Sequence, residues 1–360
     1  MPNRSQQVKQ AALELFNQLD KAACYGKDEY CSKDIYHPMA DALLVQSAFN
    51  LRKAQCITSA REKQVVVKSF KRLLDHTLAQ DSLQGWGLGF EWNDLPENEV
   101  FTITTAMVLR AASNYQEELE LAQQVIKIGQ SCLNHPLLNK ALIGPIKAPT
   151  YSLGINEHIT NTWLYAAAAL KKVGGLGRLK AKLLGYIGAH ISKASLGWKY
   201  SKRNHRVDLL HQAYISQSLM DLGFISRARS FYVDEFDNFS SGNSYIDKID
   251  LLSKREFEVD IGKLKKIKAI KHGRDYILYH KAKARYWSVG MHLSILSQVL
   301  RNTESDTFLP KFKEQQSKLV DYCLNKDSGE ETPRNLAHTL LGYTDFLLSQ
   351  KLLMNNPEKV

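Results

Sequence analysis

The chain has 360 residues, of which 44% are hydrophobic and 24% charged, as in an ordinary soluble globular protein. No apolar run approaches the roughly 18 residues of a membrane span, and the amino terminus lacks the apolar core of a signal peptide. The five scattered cysteines show no disulfide or zinc-ligand spacing, and the net charge of +11 favours an anionic partner. We therefore expect a cytoplasmic protein without a membrane span, a metal or a cofactor.

Helical periodicity dominates the chain, and convincing strand alternation is nearly absent. The pattern predicts helices over about 6–25, 38–57, 60–80, 98–112, 115–133, 158–173, 177–193, 207–222, 224–234, 256–284, 287–301, 309–325 and 334–352. Helices that follow a long loop carrying Gly, Trp or Tyr alternate with helices that follow a short turn. The long-loop helices begin near 40, 99, 158, 207, 287 and 334, which predicts six helical hairpins.

Six hairpins predict an all-α chain that forms an (α/α)6 toroid. Pairing of the amino-terminal helix 6–25 with 334–352 would close the ring and leave no exposed end. We expect residues 1–360 to form a single domain, with a basic insertion at about 236–285 between hairpins four and five. An open solenoid is the alternative, but a capped solenoid would not need Trp- and Gly-rich loops at one end of every inner helix.

Four loop motifs carry a resemblance to known proteins: Gly85 to Trp92, Tyr151 to His158, Gly197 to Tyr200, and Tyr286-Trp287. Together they resemble the (α/α)6 toroids of carbohydrate-active enzymes and terpene cyclases. The DxDD and DDxxD strings that the cyclases use are absent from the sequence. The resemblance implies a pocket at one end of the ring. The aromatic side chains at its mouth would stack on sugar rings or plug the barrel, and they are Trp86, Trp92, Tyr151, Trp198, Tyr200, Tyr286 and Trp287.

The first polar cluster at the expected mouth is an acidic one. Glu91 and Asp94 follow the first aromatic loop, and two carboxylates on either side of a glycosidic bond can hydrolyse it. Asp208 would be the third carboxylate in such a site. The competing interpretation is that Asp94 caps the helix beginning near residue 98.

The second cluster is Asn156, Glu157 and His158 at the start of a predicted inner helix. An amide and an imidazole placed there can donate hydrogen bonds to a substrate carboxylate and so acidify the neighbouring C–H bond. An Asn that caps the helix, followed by a polar first turn, is the structural alternative.

The third cluster lies one inner helix further along the chain. Asp208, His211 and Tyr214 share a helix face, and Arg206 precedes them. A neighbouring cation can lower the pKa of a tyrosine and make it a base or an acid. The alternative is that Tyr214 and His211 are buried hydrogen-bonding residues of the core. Arg334 and His338 would add charge to the same mouth from the last inner helix.

The second and third clusters resemble the sites of toroidal polysaccharide lyases of the alginate-lyase and heparinase type, and of uronyl C5-epimerases. The resemblance matches Asn156 and His158 to an Asn-His element, and Arg206, His211 and Tyr214 to a second group. This sequence departs from the family's pattern because Glu157 separates Asn156 from His158. It implies C5 proton abstraction from an acidic poly- or oligosaccharide, with elimination and epimerisation both open.

Two other functions remain open at this stage. One is glycoside hydrolysis by Glu91 or Asp94 with Asp208. The other is a non-catalytic scaffold that binds an acidic partner through the basic region 254–285, where Lys263 to Lys271 is the densest run. No recognised nucleic-acid-binding motif is visible, which argues against base recognition.

Overall fold

The computed structural model describes residues 3–143, 146–157, 159–176, 184–187, 191, 197–201, 204, 206–241, 244–253, 269–272, 275–279, 284–302, 307–325 and 332–354. Helices account for most of these residues, and the strands form small antiparallel sheets in the loops between them. None of the described helices is long and apolar enough to cross a bilayer. All five cysteines are free thiols.

Six inner helices form the centre of the molecule. They are α2 (Pro38–Lys53), α4 (Thr102–Ala112), α6 (Thr160–Lys172), α7 (Leu209–Leu222), α9 (Tyr286–Arg301) and α11 (Pro333–Met354). Each is buried on nearly every side, and their sequences are accordingly rich in Ala, Leu, Ser and Thr all the way round. A helix that is apolar or small on all faces is stable only when other elements surround it.

The inner helices close into a ring. Each packs on the next, α2 on α4, α4 on α6, α6 on α7, α7 on α9 and α9 on α11, and α11 packs back on α2. The predicted (α/α)6 toroid is confirmed, and the open solenoid is wrong because a solenoid would leave its first and last helices apart.

The outer helices pack against the ring and are amphipathic. They are α1 (Arg4–Lys21), α3 (Ser59–Asp75), α5 (Glu120–Leu133), α8 (Ile225–Ser230) and α10 (Leu309–Leu324). The predicted pairing of the amino-terminal helix is confirmed, since α1 packs on α11 through Val8, Ala12, Phe16 and Leu19. The outer partner of α6 was predicted at 177–193. Most of that range lies outside the described residues, but residues 184–187 within it are described and are helical.

The carboxyl-terminal ends of the inner helices are tied together by charged side chains. Arg110 of α4 forms an ion pair of 2.8 Å with Asp221 of α7, and Lys172 of α6 reaches the same carboxylate at 3.2 Å. Arg301 of α9 pairs with Asp345 of α11. Cations at helix carboxyl termini are favoured by the helix dipole. This end of the ring is therefore occupied by protein, and the opposite end is left for a pocket.

Strands were underestimated at the sequence level. Hairpin β1–β2 (Tyr25–Asp28, Cys31–Tyr36), hairpin β3–β4 (Leu78–Gln80, Leu83–Gly85) and hairpin β5–β6 (Ala141–Ile143, Ile146–Ala148) lie in loops that precede inner helices. They run antiparallel and leave no room for the helical ends predicted at 20–25 and 76–80. Of these hairpins, β1–β2 reaches the pocket, through Glu29 and Tyr30 of its turn.

The helix predicted at 256–284 is wrong over residues 269–272 and 275–279, which are strands, and residues 256–268 of the prediction lie outside the described part of the chain. Strand β11 (Ala269–His272) and strand β12 (Asp275–Tyr279) pair there, next to β10 (Lys248–Ser253) and β7 (Arg206–Asp208), in a sheet of order β11-β12-β10-β7. A short hairpin, β8 (Ser240–Ser241) with β9 (Ser244–Tyr245), precedes it. The helix predicted from 207 consequently begins only at Leu209, because Arg206–Asp208 are in the sheet.

Candidate active site

The pocket lies at the end of the ring where the inner helices begin. Its cavity volume is about 400 Å³, within the range of small-molecule sites. Every inner helix contributes to the lining from its first three residues, through Met39, Ile103, Asn161, His211, Trp287 and Arg334. The loops before those helices supply the rest of the wall, so the six-fold repeat of loop and helix converges on one cavity.

One wall of the pocket is the pair of strands β7 and β10. In this antiparallel register Lys248 lies opposite Asp208, and Asp250 lies opposite Arg206. Side chains of a strand alternate between its two faces, so these four charged residues share one face. The pair Val207 and Ile249 shares the other face and is fully buried. The strand pattern thus fixes Arg206, Asp208 and Lys248 toward the pocket, which all three line.

His211 lies in the first turn of α7 beside this wall. Its ring contacts the ring of Tyr200, with 4.7 Å between centroids. Its Nδ1 atom is buried and has no hydrogen-bond partner among the described residues. Burial lowers the pKa of His211, and the positive charge of Arg285 adds to this while Asp208 opposes it. With a pKa below the usual 6.5, the imidazole is neutral at pH 7 and able to accept a proton.

Asp208 caps α7 and is held by an arginine. Its carboxylate accepts a hydrogen bond from the backbone N–H of His211 at 3.3 Å and forms an ion pair of 2.9 Å with Nη2 of Arg285. Burial alone would raise the pKa of Asp208, but its interaction with the His211 side chain, the positive charges of Arg285 and Lys248 and the hydrogen bond from the backbone N–H of His211 outweigh burial and hold the pKa below its ordinary value. Asp208 is therefore a carboxylate that positions the start of α7.

A second carboxylate and a histidine complete the support for this helix start. The Nε of Arg285 also bonds Asp247 at 3.1 Å, and the carbonyl of Asp247 accepts from the N–H of Leu209 at 2.8 Å. From α9, His292 donates through Nε2 to the carbonyl of Leu209 at 2.7 Å. Burial lowers the pKa of His292 to about 4, so it remains a neutral, fixed donor.

Tyr214 lies one turn deeper, bonded to a second buried histidine. The Tyr214 hydroxyl and Nε2 of His338 are 2.6 Å apart, and Nδ1 of His338 is 2.6 Å from the carbonyl oxygen of Arg334. A carbonyl can only accept, so Nδ1 carries the imidazole proton. Burial lowers the pKa of His338 to about 3. The neutral ring must then accept from Tyr214, which donates its only proton away from the pocket.

This arrangement bears on the role predicted for Tyr214. Burial raises its pKa well above the ordinary value of 10, although Arg334 and Arg285 partly oppose the shift. A phenol with a raised pKa does not form the phenolate that a base at neutral pH requires. Tyr214 therefore offers its oxygen lone pairs to the pocket as a hydrogen-bond acceptor.

The far side of the pocket combines Trp287 with two arginines. The guanidinium carbons of Arg285 and Arg334 lie 4.8 and 5.2 Å from the Trp287 ring centroid. Arg334 also bonds Asp28 at 3.0 Å and Glu29 at 3.2 Å, both in hairpin β1–β2. One arginine thus connects the last inner helix to the hairpin that brings Tyr30 to the pocket mouth.

Most of the predicted site residues come together in this pocket. Those that line it are Trp92, Glu157, Tyr200, Arg206, Asp208, His211, Tyr214 and Trp287. Glu157 accepts a hydrogen bond of 2.5 Å from the Ser201 hydroxyl, which joins the loops before α6 and α7. Trp92 packs edge-on against the ring of Phe101, and its ring also contacts that of Tyr151. Predicted His158 lies outside the described residues.

Two predicted carboxylates do not line the pocket. Asn93 and Asp94 have φ of +48° and +64° at the tip of a tight turn, in which Trp92 and Leu95 exchange backbone hydrogen bonds of 3.1 and 3.0 Å. Residues in the left-handed backbone conformation are typical of such tight turns. The side chains of Glu91 and Asp94 at this turn are exposed to solvent. Asp94 caps no helix, because α4 begins only at Thr102.

Three further predicted residues lie away from the cavity. Trp86 is completely buried, and its indole N–H donates to the carbonyl of Leu73 at 2.7 Å. Trp198 stacks on Phe231 and donates to the carbonyl of Ile191. Asn156 is exposed outside the lining. Trp86 and Trp198 therefore serve the packing of the loops, as expected for aromatics that plug barrel ends.

Several lining residues were not predicted. They are Glu29, Tyr30, Asn161, Lys248 and Arg285. Arg285 directly precedes the Tyr286-Trp287 motif and sits at the cap position of α9, so its place in the repeat was a usable signal. Asn161 is the second residue of α6, as Trp287 is of α9, and His211 is the third residue of α7. Lys248 reaches the site through strand pairing, which leaves no local signal.

Comparison with known proteins supports the fold. The sequence matches no protein-family model and none of the curated proteins. Among solved structures, it is similar to cellobiose 2-epimerase from Bacillus thermoamylovorans B4167, with a TM-score of 0.58 and 11% identity over 92% of this chain and 98% of that one. It is also similar to a protein described as a novel alpha-amylase from Clostridium perfringens, with a TM-score of 0.57 and 14% identity over 94% and 98%.

A third similar structure is a type II terpene cyclase from Scytonema, with a TM-score of 0.50 and 10% identity over 97% of both chains. At these identities the likeness is one of fold. Since the same toroid hosts different chemistries, the function has to be argued from the site.

Proposed function

We propose that this protein is a carbohydrate-active enzyme that binds an acidic, uronate-containing saccharide and abstracts its C5 proton through His211. The observation that carries the proposal is the state of His211. It lines the pocket with a depressed pKa and a buried Nδ1 that has no partner among the described residues. A neutral imidazole held beside a substrate is the usual general base at neutral pH.

The positive side chains of the wall supply the second requirement. Arg206 and Lys248 line the pocket next to His211, and their ion pairs are long, 3.9 Å to Asp250 and 3.6 Å to Asp247. Pairs this long leave both cations able to contact a substrate carboxylate. The inner helices also direct their amino termini, the positive ends of their dipoles, at the cavity. Both features favour an anionic group close to the proposed base.

The reaction follows from placing a base, His211, next to two cations, Arg206 and Lys248. Neutralising the carboxylate at C6 stabilises the negative charge that develops when the C5–H bond breaks and its proton moves to His211. The enediolate electron pair then has two fates. It can form a C4–C5 double bond while the C4–O bond breaks, and the leaving oxygen takes a proton from water. Alternatively, water reprotonates C5 from the other face, which gives the epimer. In both cases protonated His211 returns its proton to the hydroxide that the water leaves.

Hydrolysis by the alternative carboxylates has less support from the geometry. Glu91 and Asp94 are exposed and outside the lining, and Asp208 is bonded to Arg285 with a lowered pKa. A general acid in hydrolysis needs a raised pKa instead. Two of the similar structures are titled as carbohydrate enzymes, which fits a saccharide substrate. The scaffold alternative rests on 254–285, almost wholly outside the described side chains.

The test is an activity screen on oligosaccharides of glucuronate, galacturonate, mannuronate and guluronate. Unsaturated products are followed by ultraviolet absorbance, epimers by NMR and new reducing ends by a colorimetric assay. We expect wild type to give unsaturation or epimers on at least one substrate. The variant His211→Gln should lose at least about a hundredfold in rate, the scale of general-base catalysis.

The exposed acids are the matched controls. Because Glu91 and Asp94 lie off the pocket, Glu91→Gln and Asp94→Asn should keep the wild-type rate. New reducing ends without unsaturation, lost in Glu91→Gln and kept in His211→Gln, would replace the proposal with hydrolysis.

A further inference from the structure

The floor of the pocket contains buried polar atoms for which the described part of the chain supplies no hydrogen-bond partner. Asn161 is 3% exposed and Trp287 5% exposed, and both line the cavity. Among the described residues neither Oδ1 of Asn161 nor Nε1 of Trp287 has a hydrogen-bond partner. Arg334 is 8% exposed, and its Nε also has no hydrogen-bond partner among these residues. Buried polar groups are nearly always satisfied, and leaving one without a hydrogen bond is energetically costly.

These atoms form a fixed pattern of donors and acceptors. The Trp287 indole and the Arg334 Nε can only donate, whereas Oδ1 of Asn161 can only accept. Tyr214 adds an acceptor, because its proton goes to His338. A ligand that satisfies this floor must offer oxygen lone pairs and O–H groups together. Neighbouring hydroxyls of a sugar do both, whereas a carboxylate offers only lone pairs.

We infer that Asn161, Tyr214 and Trp287 are specificity-determining residues that bind neighbouring hydroxyls of the sugar ring, while its carboxylate lies against Arg206 and Lys248. The inference rests on the proposed function for the saccharide class and adds the orientation of the ring. The uncharged hydroxyl edge enters first and contacts the floor. The acidic edge stays at the β7–β10 wall, where His211 is.

The division of the pocket supports this orientation. The arginines near the floor already have anionic partners, since Arg285 bonds Asp208 and Asp247, and Arg334 bonds Asp28 and Glu29. The longer ion pairs are those of the wall. A substrate carboxylate therefore gains more at the wall, and the floor is left to discriminate hydroxyls.

The test is isothermal titration calorimetry with three neutral sugars, glucose, mannose and galactose, and with their uronates. Trp287→Phe keeps an aromatic ring against the guanidiniums and removes the N–H together with the pyrrole part of the indole, and Asn161→Ala removes the acceptor. Each should weaken a neutral sugar and its matching uronate by the same factor, roughly three- to tenfold for one lost hydrogen bond. Arg206→Gln should weaken only the uronate. Trp198→Phe, whose indole bonds Ile191 outside the pocket, should leave every affinity unchanged.

The outcomes separate the two proposals. Floor variants that leave all affinities unchanged, or that weaken uronates alone, overturn the inference. Binding that follows the predicted pattern without C5 chemistry in the activity screen upholds the inference and overturns the proposed function. If none of the six sugars binds wild type at millimolar concentration, both are overturned.

Discussion

Three buried histidines show how environment assigns different tasks to one residue type. His292 and His338 each donate from one ring nitrogen to a backbone carbonyl and accept from a tyrosine with the other. In each of these two histidines both ring nitrogens are hydrogen-bonded within the protein, so both rings have structural roles. His211 lines the cavity and keeps a buried Nδ1 without a partner among the described residues. Of the three, His211 alone is placed to exchange a proton with a bound molecule.

The Tyr214–His338 bond leads to a prediction for the variant Tyr214→Phe. Because the phenol already donates its proton to His338 and has a raised pKa, it contributes an acceptor and no proton transfer. We expect KM to rise about three- to tenfold and kcat to change by less than about tenfold, in steady-state assays on the substrate found by the screen. A fall in kcat of the 10²–10⁴ typical of a lost general base, with KM unchanged, would make Tyr214 the base.

The acid limb of the pH profile tests the environment of His211. Asp208 raises the pKa of His211, while burial and Arg285 lower it. Replacing the carboxylate in Asp208→Asn removes the raising influence, so the pKa falls further. A base acts only when neutral, and the acid limb of kcat/KM should therefore move to lower pH than in wild type. The Asn retains an acceptor for the helix cap. A limb that moves to higher pH would show that another group controls it.

The residue scale also shows what local sequence can reveal. Asp208, His211 and Tyr214 were predictable because their spacing places them on one side of a helix beginning, and the structure brings all three to the pocket. Lys248 was not, because it reaches Asp208 only through pairing of strands some forty residues apart. Glu91 and Asp94 were wrongly predicted because the sequence before a helix does not distinguish acidic residues at a site or a helix cap from acidic residues in an exposed turn.

At the scale of elements, helices were predictable and the inserted sheet was not. Lysines three residues apart between 263 and 271 (263/266, 265/268 and 268/271) imitate an amphipathic helix. The stretch from Asp275 to Tyr279, rich in β-branched and aromatic residues, pairs with β10 in register. That pairing depends on tertiary context, which overrides local periodicity. The sequence Gly273-Arg274 between β11 and β12 has the composition of a two-residue hairpin connection and was the one usable signal.

Close packing of two inner helices gives a prediction about stability. A Cβ at Gly342 of α11 would overlap the carbonyl oxygen of Gly290 in α9, a backbone atom that cannot move aside. Gly342→Ala should therefore lower the free energy of unfolding by about 1–3 kcal/mol, as overpacking does. Urea denaturation followed by circular dichroism measures it. The control Gly185→Ala, at an exposed helical site with nothing within 4 Å, should be neutral or slightly stabilising. Equal effects of the two variants would contradict the close packing.

At the scale of the whole molecule, function depends on closure of the ring. The six-fold alternation of loop and helix was readable from the sequence because inner helices share small and apolar composition and follow Trp- or Gly-bearing loops. The ring closes where α11 packs on α2, and α1 packs on the outside of the last inner helix. Only a closed ring brings the first turns of α2 and α11 to the same cavity as that of α7.

The packing of α1 on the last inner helix predicts that α1 is essential for stability. Phe16 is buried in its interface with the ring, and Phe16→Ala should cost about 3–5 kcal/mol. Lys9→Ala, an exposed site on the same helix, should change stability by less than about 0.5 kcal/mol. Chemical denaturation of both variants gives the comparison. A Phe16→Ala protein as stable as wild type would mean that α1 is not part of the ring's core.

The most direct measurement is hydrogen–deuterium exchange at C5 of a uronate oligosaccharide in D₂O, followed by proton NMR with wild type and His211→Gln side by side. We predict that wild type exchanges or removes the C5 hydrogen, and that His211→Gln does so at least about a hundredfold more slowly. Retention of the C5 hydrogen by wild type on every substrate that it converts, or an undiminished rate in His211→Gln, would contradict the account.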